Sequence, residues 1–459
     1  MAMLLGVVAA RAASGAPLGL VWGVVAEPAG EGALTLGRLA EHLEFLQAHG
    51  RQAVRATELA AGSAPAQSVL LTFDDPAGAA RYVLPLLELY QTPATVTVSA
   101  AQLADASLAP ALATLAHSPW VELVPRVEPA IADEQPEVRC APTAVVDEEA
   151  ALSRLRAALA EQVSALHDRT GRAPVGVAWA PGTWSGPAEA VAKSLGLTLQ
   201  LPTFTTMPPE FDGRSTRVAL FAVPSWAGIW AVAQASARWN PDDHPVRFVE
   251  VDAGWICSGN DPATRVAEIV GVVRKLALNG VRLRVGDAQG VWFPTTVTTV
   301  RGDVAGPLAR TLHRAGVRWV AVDVPTTGDR GRDVALAADL ARAVELDVAL
   351  LPAGATAQDR LGEAVQYVRP AARVGWRGEA GLGERAFRLT PFATDRPAER
   401  GATVASAAVA AANQEATDLA IGGWDWVGLP IELARSGLDR SLRSLAAFAL
   451  PNAGAPPAP

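Results

Sequence analysis

The chain has 459 residues, a formal net charge of −8, and half of its residues are hydrophobic. That is enough for roughly two or three domains that each bury a core, and it excludes an intrinsically disordered chain. The acidic balance and the lack of any basic run argue against a nucleic-acid surface and leave a neutral or cationic partner easier to accommodate.

In chain order, Met3 to Ala10 is an apolar run followed by small residues around Ala10 to Ala13. It reads either as the back half of a secretory signal peptide without its basic region or as an ordinary apolar leader or first strand. No later run reaches the ~18 apolar residues of a membrane span. Leu18 to Val25 is expected as the opening strand and Thr35 to Gly50 as a helix with Leu36, Leu39, Leu43 and Leu46 on one face. His42 and His49 fall two turns apart on that helix, too far to share an ion, and read as solvated positions. Next comes a buried strand, Val69 to Phe73, ending in Asp74 and Asp75, then a turn at Pro76 to Gly78 and a helix from Ala79 to Tyr90. Two acids at the end of a buried strand must be paired, hydrated or metal-bound. The plainest alternative makes one of them a helix N-cap and leaves the other in water.

The alternation continues with strand Ala94 to Val98, helix Ala101 to Ala116, strand Trp120 to Leu123, helix Glu148 to Thr170, strand Val175 to Trp179 and helix Pro187 to Leu195. A βα rhythm of this kind implies a parallel sheet or barrel with its ligand site at the strand C-termini, where Asp74 and Asp75 sit. Cys140 and Cys257 are the only cysteines, which excludes a CxxC metal site and leaves open one long-range disulfide.

LLTFDD followed by LPLLELYQTPATVTV resembles the first motif of the polysaccharide deacetylases, the NodB-homology carbohydrate esterases. Within them it is most similar to the PgaB-type poly-β-1,6-N-acetylglucosamine deacetylases. LEFLQAHGRQAVRATE, SPWVEL and VAWAPGTW fit further motifs in the right order, so the resemblance covers roughly residues 18 to 240. It implies that Asp74 is the general base and that Asp75 binds a divalent metal with two histidines, the metal polarising an acetamide carbonyl. By alignment, however, Arg126 and Ile131 stand where the histidines belong. Arginine cannot shed its proton to bind a metal, and isoleucine has no donor atom. Arg126 is expected instead to neutralise Asp74 or Asp75 directly. Pro76 replaces the family glycine, Trp22-Gly23 the tyrosine-histidine pair, and His117 precedes the strand as a surface residue. Glu122 and Glu128 are the remaining acids nearby, but no histidine joins them. The resemblance therefore implies an inactive deacetylase half with no cofactor. Zinc, nickel or cobalt would be required only if that site worked.

Thr203 to Pro245, rich in Pro, Trp and polar residues, reads as a connection. A new domain opens with strand VRFVEVD, ending at Asp252. It continues with helix Pro262 to Asn279, strand Val281 to Val285, helix Gly306 to Ala315 and strand Arg318 to Val324. Later strands are expected at Asp347 to Leu351, Arg373 to Trp376, Ala386 to Leu389 and Asp418 to Gly422, about seven or eight units in all, as in a compact (β/α) barrel. This half resembles the glycoside-hydrolase-like domain of the same family, which implies a catalytic role for Asp252, with Asp287, Asp323 and Asp425 as available second carboxyls. The expected fold class is thus α/β, a deacetylase-like (β/α) barrel followed by a glycoside-hydrolase-like (β/α) barrel. The segments are 1–15 signal remnant, 16–202, connection 203–245, 246–450 and disordered tail 451–459.

Thirteen tryptophans against three tyrosines suggest sugar-stacking faces, core packing being the alternative for most of them. The candidates for substrate binding are Trp179, Trp184, Asp287, Trp292, Trp424, Asp425 and Trp426, with Gly422 to Trp426 the best platform. Two functions follow from the resemblance. One is a catalytically degenerate PgaB-like protein that binds poly-N-acetylglucosamine or a related exopolysaccharide, periplasmic or secreted, with an export complex as partner. The other is an active hydrolase, either a metal-dependent N-deacetylase or a glycosidase acting through Asp252.

Overall fold

The computed structural model describes residues 17–28, 30, 32–65, 67–128, 138–142, 147–204, 216–223, 232, 246–258, 261–275, 280–352, 360–376, 388–390 and 425–430; side chains are not described for 246–248, 274–275, 376, 388–390 and 425–430. The chain divides into two compact units. One holds Met1–Ala132 and Val146–Trp239, the other Asp133–Val145 and Asn240–Pro459.

The first unit is a wholly parallel sheet of eight strands: β1 (Leu18–Trp22), β2 (Gln52–Ala53), β3 (Ser68–Phe73), β4 (Ala94–Ser99), β5 (Val121–Val127), β6 (Gly176–Trp179), β7 (Leu199–Phe204) and β8 (Leu220–Val223). β1 bonds to β3 on one edge and to β8 on the other, so the sheet curls back on itself. Strand alternation divides its side chains. Leu20, Leu71, Val96 and Leu123 pack with helix residues such as Leu39, Leu87 and Leu112, while Val21, Leu70, Val124, Leu199 and Leu201 form a separate core. Two strands fall outside the expected elements. Leu199–Phe204 is a strand where no element is expected, its last two residues entering the stretch read as a connection, and Leu220–Val223, inside that stretch, completes the sheet beside β1. The helix expected over Ala101 to Ala116 is broken into Ala100–Ala104, a 3₁₀ turn Ala106–Leu108 and Ala109–His117. The break follows Asp105, whose carboxylate caps the 3₁₀ turn by accepting from the Ser107 amide.

The second unit is a closed parallel barrel. Its strands are β9 (Val246–Asp252), β10 (Gly280–Arg284), β13 (Trp319–Asp323), β14 (Val348–Leu351), β15 (Arg373–Trp376), β16 (Arg388–Thr390) and β17 (Asp425–Pro430), in the order β10-β13-β14-β15-β16-β17-β9; a small hairpin, β11 (Gly286–Asp287) with β12 (Gly290–Val291), lies outside the ring. Helices Arg330–Ala343 and Arg360–Val368 were not among the expected elements. The strand at Asp425–Pro430 lies further along the chain than the expected one, and Asp418 to Gly422 falls outside the described residues. Val249, Val251, Val281, Leu283, Val320 and Val322 pack against Ile269, Leu308 and Leu336 of the surrounding helices.

Segment 138–142 belongs to this second unit, although it lies in the chain between β5 and helix Glu148–Thr170 of the first. It is held by three contacts. Arg139 and Asp303 exchange backbone hydrogen bonds of 2.9 and 2.8 Å. Val138 packs against the barrel core. Cys140 is disulfide-bonded to Cys257, 117 residues on, at the end of helix Ala253–Cys257. Gly302 permits the approach, since a Cβ there would lie 2.6 Å from the Arg139 carbonyl oxygen. Among the described residues no helix is long and apolar enough to cross a membrane.

Two outcomes are expected. A cross-link over a loop this long removes much unfolded-state entropy, so Cys140→Ser lowers the stability of the second unit by about 2–4 kcal/mol, read as a lower guanidinium midpoint than that of the oxidised wild type. At the barrel's outer layer, His313, largely but not fully buried, bonds Asp347 at 2.9 Å with Glu345 nearby. Burial opposes its charge, but these carboxylates prevail against Arg369 and raise its pKa from 6.5 to about 9. The raised value means that the contribution is whole below pH 6.5 and is lost as pH rises through 9. Stability should therefore fall by on the order of 1–3 kcal/mol across that window, and His313→Gln should flatten the dependence.

Candidate functional site

In the first unit, Asp74 follows the last residue of β3, with its amide donating to the Trp22 carbonyl of β1 at 3.0 Å. Alternation along β3 sends Leu70, Thr72 and Asp74 to the face away from the packed helices. There Thr97 of β4 donates to Asp74 Oδ1 at 2.7 Å, and Arg126 of β5 places Nη1 2.6 Å from Asp74 Oδ2. The pair is largely buried, with side-chain exposures of 18% for Arg126 and 19% for Asp74. Burial raises the Asp74 pKa above its ordinary value, and the Arg126 charge and the Thr97 hydrogen bond only partly oppose it. Arg126 also bonds Glu128, Nε to Oε1 at 3.0 Å.

Asp75 has a different task. It is the N-cap of the helical segment that starts at Pro76, its Oδ1 accepting from the Ala77 amide at 3.1 Å. Gly78 is forced by close packing, because a Cβ there would lie 2.6 Å from the Val25 carbonyl oxygen. The two acids thus divide as the plainest reading had it for the cap, while the second is ion-paired rather than left in water. Glu122 accepts from the Thr57 amide and hydroxyl at 3.1 and 2.6 Å and takes no part in the site.

A divalent metal does not fit this donor set. Asp74 is held by the Arg126 guanidinium, which cannot ligate a metal, and by the Thr97 hydroxyl, while Asp75 is turned to a helix amide. Among the described residues no three His, Cys, Asp or Glu side chains converge as ligands. Ile131 lies outside the described residues. His117 is exposed and bonds the Ala113 carbonyl within its own helix. His42 corrects the expectation of solvated helix histidines, because it is 0% exposed and its Nδ1 accepts from Trp22 Nε1 at 3.3 Å. His49 is exposed and stacks on Phe45 at 3.9 Å.

The barrel repeats the carboxylate–arginine pairing at its C-terminal mouth. Asp252, ending β9, caps the next helix through Gly254 N at 2.7 Å and pairs with Arg284 of β10 at 3.2 Å, with exposures of 45% and 54%. Deeper in the barrel Arg282 joins Asp323 of β13, at 3.0 Å from Nε, to Glu250 of β9. Asp287 pairs with Arg301 at 2.7 Å. Asp323 and Asp287, two of the second carboxyls expected for Asp252, are therefore each ion-paired with an arginine. Asp425 begins β17, while Asp252 ends β9, and the register sets Trp426 against Val246 and Pro430 against Glu250. In this parallel ring Asp425 and Trp426 fall at the end opposite the mouth; Trp424 is outside the described residues.

The tryptophans resolve toward packing. Trp179 is 0% exposed and donates to Gln200 at 2.9 Å. Trp184 is buried, donating to Glu189 at 3.1 Å under Arg217. Trp292 is buried beneath Arg301 at 4.5 Å. None of the three presents an open face to a sugar. Trp120, not singled out from the sequence, is partly exposed beside a cleft at the opposite end of the first sheet.

No protein-family model matches the chain, and no curated protein matches it. Solved structures do. A de-N-acetylase from Aggregatibacter actinomycetemcomitans is 15% identical with TM-score 0.39, covering 48% of this chain and 99% of its own. The BpsB deacetylase domain from Bordetella bronchiseptica is 19% identical with TM-score 0.35, covering 45% and 95%. The PgaB (BpsB) glycoside hydrolase domain from Bordetella bronchiseptica is 14% identical with TM-score 0.33, covering 44% and 99%. At such identities and scores the likeness assigns no activity.

The Asp74–Arg126 pair has a direct test. Arg126→Ala leaves a buried carboxylate without its cation and should cost about 2–3 kcal/mol at pH 7. Because the Asp74 pKa is raised, its ionised form is the costly one, and that cost is present above its ordinary pKa and vanishes below it. The deficit of the variant should accordingly shrink in urea unfolding at pH 4.

Proposed function

We propose that this chain is a PgaB-like protein that binds and helps process an exopolysaccharide of the poly-N-acetylglucosamine type, its deacetylase half being catalytically inactive. The observation that carries the reading is the Arg126–Asp74 ion pair of 2.6 Å. Deacetylation of an acetamide needs a metal to polarise the carbonyl and a carboxylate free to take a proton from water. Arg126 supplies fixed positive charge, but a guanidinium cannot coordinate a water or lower its pKa as a metal does. Asp74, already bonded to Arg126 and Thr97, is committed as an acceptor.

The order of the four sequence motifs supports the polysaccharide-deacetylase lineage, and the glycoside-hydrolase-like reading of residues 246–450 belongs to the same proposal. The Cys140–Cys257 disulfide suits an oxidising compartment, which supports a periplasmic or secreted location. An export complex is the partner that this reading implies. The rival reading, a glycosidase using Asp252, is favoured by one observation: that carboxylate is 45% exposed at the barrel mouth. It is weakened by Arg284, since hydrolysis needs two free carboxyls at a controlled separation.

Polymer binding and turnover measured together on the wild type and Asp252→Asn decide between them. The proposal expects poly-β-1,6-N-acetylglucosamine to be retained in co-sedimentation by both proteins. It also expects neither acetate nor shortened chains to appear, with or without added zinc, nickel or cobalt. Acetate release would overturn the inactive-deacetylase reading, and chain shortening lost in Asp252→Asn would establish the glycosidase.

A further inference from the structure

The edge of β3 is shared by two strands. β2 pairs with Ser68 and Val69 at its start, whereas β4 pairs with Thr72 and Phe73 at its end. Beside this fork opens a cleft of about 530 Å³, with Val69, Leu71, Leu43 and Leu46 among its lining residues. Its other members Pro93 and Trp120 stand just before β4 and β5, so it lies at the strand N-termini, the opposite end of the sheet from Asp74. The volume is in the range of small-molecule sites.

We propose that this cleft binds a carboxylate-bearing saccharide, a uronic-acid unit or a disaccharide containing one. The floor is apolar: Leu43, Leu46, Val69 and Leu71 are each no more than 2% exposed. Tyr90 and Trp120 add two partly exposed rings, the kind of surface against which a sugar lays its C–H face. Tyr90 is fixed by donating its hydroxyl to Glu44 at 2.9 Å. The polar lining is rich in groups that recognise hydroxyls and carboxylates, with Gln47, Gln52 and Gln91 supplying amides and Arg51 and Arg55 guanidinium groups. Glu58 is the one acid among the lining residues, and its Oε2 already accepts from the Arg55 amide at 2.8 Å. Two guanidinium groups and one carboxylate thus line the cleft itself, with Glu44 bonded to the hydroxyl of Tyr90. A purely apolar ligand would leave that rim desolvated, and a cationic one would meet two arginines.

A strained residue lies in the lining. Gln91 ends helix Leu84–Tyr90 in the left-handed conformation at φ 50°, where glycine or asparagine is usual. Retaining a glutamine there costs backbone energy and keeps an amide beside the cleft, the pattern of strain held at a binding site. The inference goes beyond the exopolysaccharide reading, because the site is remote from Asp74 and its ligand is anionic.

The test is calorimetric titration of the full chain with a glucuronic-acid-containing disaccharide and, separately, with neutral N,N′-diacetylchitobiose. Saturable binding of the acidic disaccharide is expected, about tenfold tighter than the neutral one. Arg55→Gln should weaken it by about tenfold through loss of one charge-assisted contact. Gln47→Trp fills the cleft from an exposed helix position and should abolish binding, with circular dichroism confirming that each variant is folded. No saturable binding at millimolar ligand, equal affinity for the neutral disaccharide, or binding undiminished in Gln47→Trp would each overturn the proposal. None of these results bears on acetate release at Asp74.

Discussion

A carboxylate at the C-terminal end of a buried parallel strand cannot remain charged without compensation, and how that compensation is made decides what the site can do. In this protein it is made by Arg126. The guanidinium reaches Asp74 from β5, two strands along the sheet, with Thr97 of the intervening strand on the other carboxylate oxygen. Each carboxylate oxygen thus has one partner, although burial still outweighs them and holds the Asp74 pKa above its ordinary value. A guanidinium supplies charge but no metal-ligating lone pair, and on this rests the proposed reading of the site as inactive. Asp75, free of that pair, is spent on starting a helix.

The barrel follows the same rule with different strands. Its alternating residues send valines and leucines to the helices and charged groups to the other face, where Glu250, Arg282 and Asp323 form one network and Asp252 and Arg284 another nearer the mouth. Buried ion networks contribute little net stability compared with apolar packing, so their presence inside a barrel calls for a reason beyond folding. Among the described residues, Glu250, Asp252 and Asp323 are each paired with an arginine.

Much of this was legible in the sequence, and the failures have physical causes. The strand–acid–helix order around Asp74 could be read directly, because the relevant residues lie within continuous elements of one periodicity. Arg126 stands out only through the family resemblance, since the expected strand stops at Leu123 and the observed one runs on to Val127. The tryptophans could not. Nothing local distinguishes an indole that stacks on a sugar from one that donates to Gln200 or Glu189 in the core. His42 was misplaced for a related reason: its polarity suggested water, whereas the Trp22 indole gives it a buried partner from another element. The strand Leu220–Val223 was hidden in a Pro- and Trp-rich stretch whose composition resembles a linker, and only its pairing with β1 reveals it. The disulfide was open as a possibility, but its reason lies in the docking of segment 138–142 beside Gly302, which no spacing announces.

The central claim is that a fixed cation replaces a metal at Asp74. Equilibrium dialysis of the purified protein against zinc, nickel and cobalt at pH 7, with metal content determined by mass spectrometry, tests it most directly when Asp75→Ala is run beside the wild type. The account predicts substoichiometric metal in both proteins and no difference between them. One equivalent of metal in the wild type, lost in Asp75→Ala, would contradict it.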